Sequence, residues 1–63
     1  MKIEISPEIL AAATEAMREL QARYEAEAAA FSQIDCPEAR RFAVERAESA
    51  EVAKGLYNFF TEW

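Results

Sequence analysis

Proline occurs twice in the chain, and both times it opens a similar phrase, "SPE" at Ser6–Glu8 and "CPE" at Cys36–Glu38. Proline suits the first turn of a helix, where its missing N–H removes no hydrogen bond, and a glutamate beside it faces the positive end of the helix dipole. Ser6 is a good cap ahead of the first phrase. Asp35 followed by Glu38 has the spacing of a capping box ahead of the second. After each start comes a long run without proline, and the single glycine, Gly55, lies in the second run. These signals predict one helix over about 7–32, a connection over about 33–36 and a second helix over about 37–61. The first helix would be ~39 Å long at 1.5 Å per residue. Gly55 would cost the second about 1 kcal/mol relative to alanine. It marks either a close approach of another backbone or a fraying end.

Two long helices on a short connection fold back antiparallel. The side chains agree with such a hairpin. Leu10, Ala13, Met17, Leu20, Tyr24, Ala28 and Phe31 recur at steps of three and four along the first helix. Ala39, Phe42, Arg46, Ala50, Ala53, Tyr57 and Phe60 do so along the second. Folding at the connection sets Phe31 against Ala39, Ala28 against Phe42, Leu20 against Ala50, Met17 against Ala53 and Ala13 against Tyr57. Large meets small each time, which lets two helices approach closely without voids. Arg46 faces Tyr24 in this register and is expected to stack on its ring. The predicted fold is an all-α helical hairpin, residues 1–63 as one domain, with a short N-terminal extended segment. Ile3 and Ile5 of that segment, "KIEIS" at Lys2–Ser6, alternate with polar residues and would cover the open end near Phe60 and Trp63.

The chain has 63 residues, one cysteine and no histidine. A core this small gives little stability unaided. A disulfide framework is excluded and a zinc site disfavoured, which leaves association. The last nine residues, "GLYNFFTEW", supply the material for it. Tyr57 and Phe60 belong to the hairpin seam. Val52, Leu56, Phe59 and Trp63 form a second apolar stripe about a quarter turn away, at ~100° per residue. Ile9 lies to a comparable side of the first helix. A two-helix unit cannot bury two faces of one helix, so Val52, Leu56, Phe59, Trp63 and Ile9 are predicted to form a protein interface. Its simplest use is homodimerisation into a four-helix bundle.

Formal net charge is −5, from 12 acidic and seven basic residues. Long-range attraction to nucleic acid or anionic membranes is therefore not expected. No stretch nears the ~20 apolar residues of a membrane span, and "MKIEIS" lacks the apolar run of a signal peptide. The expected location is the cytoplasm of a bacterial cell or phage-infected host. Cys36 at a helix start is the one nucleophile to weigh, but it has no histidine or second thiol beside it. Glu15 with Glu19, and Glu45 with Glu48, share helix faces without the histidines of a di-iron bundle or the glycine-bearing loop of a calcium site. Neither a cofactor nor a metal nor catalysis is expected. These four glutamates are instead a candidate acidic contact face for a basic protein surface. Glu19–Arg23 and Glu38–Arg41 read as exposed helix pairs.

The element order of a short strand followed by two helices resembles that of the ribbon-helix-helix repressors, whose paired strands read DNA. On that resemblance Lys2, Glu4 and Ser6 would face the groove. Glu4 opposes phosphates there, the helices are long for that family and the overall charge has the wrong sign. The function expected from size, charge and the missing chemistry is that of a small acidic non-catalytic protein-binding module. It would act as an inhibitor or adaptor of a larger protein or nucleoprotein complex. Phage and mobile-element anti-defence proteins, anti-CRISPR proteins among them, are a setting that suits such a chain. The alternatives are a ribbon-helix-helix-like regulator or antitoxin and a purely structural bundle subunit.

Overall fold

The computed structural model describes residues 4–63, which form two α-helices, α1 at Pro7–Ser32 and α2 at Pro37–Thr61. They fold back on each other as a helical hairpin, 46 × 21 × 13 Å across its principal axes. Residues 4–6 belong to no regular element, and Ile5 is half-buried. Lys2 and Ile3, which the alternating pattern places in a strand or over the open end, lie outside the described residues.

Each helix starts where its proline dictates. Ser6 caps α1 with an extended backbone, and its side chain accepts a 3.3 Å hydrogen bond from the Ile9 N–H. At α2 the cap is Cys36 rather than the expected Asp35. Its φ of −153° and ψ of 152° are extended, and its sulfur accepts from the Ala39 N–H at 3.4 Å. Proline explains the one-residue shift. A residue that precedes proline is pushed out of the helical region by the ring, so Cys36 cannot be the first helical residue and has to be the cap. Asp35, displaced from that role, accepts a 2.6 Å hydrogen bond from Arg40. The connection needs no left-handed residue, and none is found among the described residues. Gln33 stays right-handed and donates its N–H to Ala30 at 3.2 Å, while Ile34 donates to Phe31 at 3.1 Å.

The core is small and one-sided. Among the described residues only Ala39, Ala50 and Ala53 are buried, all three on α2. Every residue of the seam predicted on α1 is half-buried against them. Two cylinders touch along one line, so only the smallest side chains directly on that line lose all contact with water. Larger neighbours straddle it and keep one flank exposed. Phe42 shows this: it is 43% exposed, with its ring 5.5 Å from that of Phe31.

Arg46 corrects the predicted polar contact. Its guanidinium lies 5.9 Å from the Phe31 ring centre and 6.0 Å from that of Phe42, not over Tyr24. Its Nε donates to Glu27 Oε1 at 2.9 Å, tying α2 to α1. Glu27 also accepts from Arg23 Nε at 3.1 Å, so Arg23 pairs forward to Glu27 and not back to Glu19. The expected Glu38–Arg41 pair is likewise absent among the described residues, where Arg40 bonds Asp35 instead. Glu27 collects two cations because it sits at the seam edge where Arg46 crosses. Its carboxyl is held below the ordinary glutamate range, first by the hydrogen bond from Arg23 and then by that from Arg46, against the opposing effect of desolvation.

Gly55 is helical, exposed, and has open space where a Cβ would stand. It marks neither a close backbone approach nor the helix end, since α2 continues to Thr61.

Candidate protein-interaction surface

Seven residues is two turns of helix, so Val52 stacks above Phe59 along α2, while Trp63 lies beyond the C-cap Glu62 and outside the helical rows. Val52 is 64% exposed, Phe59 55% and Leu56 43%. Trp63 is half-buried, with its ring edge-on to that of Phe59 at 5.3 Å. Phe59 is also edge-on to Phe60 at 5.5 Å, so the outer ring is braced on two sides.

Between the helices an open groove of about 250 Å³ runs beside this stripe, lined by Met17, Leu20 and Tyr24 from α1 and by Ser49, Val52, Ala53 and Leu56 from α2. It exists because the side chains are unequal. Ser49 and Ala53 are too short to fill the trough between two helical ridges, while Met17, Leu20 and Tyr24 form its far wall. Eleven residues is close to three turns, so Ile9, 63% exposed, lies in the same row as Leu20. Of the five predicted interface residues, Val52 and Leu56 line the groove, Phe59 and Ile9 are exposed outside its lining, and Trp63 packs edge-on against Phe59. Spacing places Met17, Leu20 and Tyr24 in the seam alone. They serve the seam with one flank and the groove with the other, and the short residues opposite them were the available signal. Ile34 and Val44, 51% and 56% exposed, are further apolar residues that the stripes did not single out.

The acidic candidates are not brought together in the same way. Glu15, Glu19, Glu45 and Glu48 are all exposed. At ~100° per residue Glu15 and Glu19 point away from the seam residue Met17, and Glu48 points away from Ala50. Glu15 and Glu19 thus leave the outer side of α1 and Glu48 that of α2, while Glu45, two turns before Val52, shares its row, and Glu15 is already paired with Arg18. Among the described residues no group of acidic or sulfur ligands is placed to hold a metal ion. Cys36 is half-buried and occupied as the α2 cap. No helix among the described residues is long and apolar enough to cross a membrane.

Comparison of the chain with protein-family models, with curated proteins and with solved structures finds no match.

Proposed function

We propose that this protein is a non-catalytic protein-binding module that works by laying its grooved apolar side on another polypeptide. The observation that carries the reading is the groove itself, flanked by Val52, Leu56, Phe59 and Ile9, each well exposed. Contiguous apolar surface of this kind on a small protein is costly in water and marks interaction sites. A small-molecule site fits it poorly. Such sites are usually larger, about 300–1,000 Å³, and carry several convergent polar groups, whereas only Ser49 and Tyr24 bring any polarity here.

Self-assembly into a four-helix bundle and docking on a different protein both place this side against protein. As an inhibitor or adaptor, the chain would cover a functional surface of a larger protein or nucleoprotein complex. Its net charge of −5 would steer it towards basic surfaces. An anti-defence role in a phage-infected bacterium is the form of this reading that suits its size and acidity. The test is affinity capture from the native host with the wild-type chain and with Val52→Glu, after circular dichroism shows equal helicity. A specific partner retained by the first and lost by the second supports the reading. Partners that ignore the substitution, or none at all together with no self-association, refute it.

A further inference from the structure

Taking the grooved side to be a protein-docking surface, we propose that its occupant is a second copy of the chain, related by a two-fold axis so that Phe59 of each copy enters the groove of the other. A two-fold interface needs a projection and a recess on the same surface, displaced from one another, with the axis midway between them. Both are present. Phe59 projects, 55% exposed and braced by Phe60 and Trp63. The recess is centred near Val52 and Leu56, about five residues or ~7 Å back along α2.

The sizes agree. A cavity of about 150 Å³ suffices to hold benzene, so a groove of about 250 Å³ takes a phenyl ring with its β-carbon. The charges choose the orientation. Glu45 and Glu48 lie farther along the same helix towards the loop, beyond the apolar stripe. Stacking two copies with their loops at the same end would bring the two Glu45 residues near each other. The antiparallel arrangement, about an axis lying in the interface and perpendicular to the helices, sends the two loop ends in opposite directions and keeps those carboxylates in water.

The area sets the strength. The broad side measures 46 × 21 Å, or about 970 Å², and only its terminal half is apolar. Each copy would then bury about 480 Å², close to 1,000 Å² in all, at the low end of specific interfaces. A dimer with so small an interface is an exchanging one. Because each copy carries −5, added salt strengthens it by screening.

Sedimentation equilibrium from micromolar to millimolar concentration tests this, on the wild type, Phe59→Ala and Val52→Glu, with helicity checked by circular dichroism. The expected result is a monomer–dimer equilibrium weakened at least ~10-fold by either substitution, given the loss of a central aromatic or the burial of a charge. A second experiment fixes the register. In a Cys36→Ser background, chains carrying Phe59→Cys are mixed with chains carrying Ser49→Cys under mild oxidation, and the mixed disulfide should outcompete both self-pairings. A wild type that stays monomeric throughout overturns the two-fold dimer. It leaves the docking reading to be decided by the Val52→Glu capture experiment. A dimer indifferent to both substitutions overturns the dimer geometry and the docking side together.

Discussion

Ala50 offers a direct probe of how close the two helices come. It is 5% exposed and lies on the contact line, outside the groove, so a larger side chain there has no trough to enter. Ala50→Leu adds three carbons at a position already closed to water. Overpacking of this sort costs about 1–3 kcal/mol. For a chain of this size each kcal/mol moves the melting midpoint by roughly 4–8 °C, so a fall of about 5–20 °C is expected. Ala50→Gly should also destabilise, by about 2 kcal/mol: roughly 0.8 for the buried methyl and roughly 1 for helix propensity. The control is Ala47→Leu, at an exposed position three residues away, where the change should stay within about 0.5 kcal/mol. Thermal melts followed at 222 nm, at one protein concentration, read all three. If Ala50→Leu melts at or above the wild type while Ala50→Gly melts below it, there is room for a leucine and the close approach through alanine is wrong.

Gly55→Ala should stabilise the hairpin by about 1 kcal/mol, since the new methyl meets nothing and only helix propensity changes; a melt no higher than wild type would contradict this. Cys36→Ser places a better acceptor opposite the Ala39 N–H and should raise stability by roughly 0.5–1 kcal/mol, read by urea unfolding. Glu27 provides a pH signature. Its folded carboxyl is held below its ordinary value near 4.5, so its contribution is present above that value and is lost as pH falls through the lower, folded one. Wild type should therefore melt above Glu27→Gln at neutral pH, with the gap closing as the solution is acidified through the lowered, folded value. A gap that persists unchanged at pH 2 would show that packing and not charge accounts for it.

The two proline phrases, the spacing of apolar residues and the shortage of glycine were enough to read two helices and their bounds. These are properties of neighbouring residues: cap chemistry, a ring that forbids the helical region before it, and a period of 3.6. Val52, Leu56 and Phe59 are legible as a row for the same reason, because residues three, four and seven apart share a side of a helix, whereas Trp63 lies beyond the C-cap and its contact with Phe59 is not set by that period. The cap at Cys36 follows from the restriction on the residue before Pro37, which outweighs the preference for Asp35 as a capping residue. Partners of long side chains were harder to read. Arg46 could reach several aromatic rings and carboxylates, and Arg23 had glutamates four residues away in both directions, so spacing left the choice open.

What the tertiary structure decided was how the two helices share their flanks. The sequence by itself determined that each helix has a seam and that α2 has a surplus apolar side. Only the packed pair turned Met17, Leu20 and Tyr24 outward enough to wall a groove with Val52 and Leu56, and brought Glu27 to Arg46. The physical reason is that helical period specifies angle about one axis. A groove or a shared carboxylate depends on the distance and rotation between two axes, and those are set by which side chains on the contact line are small enough to let the helices close.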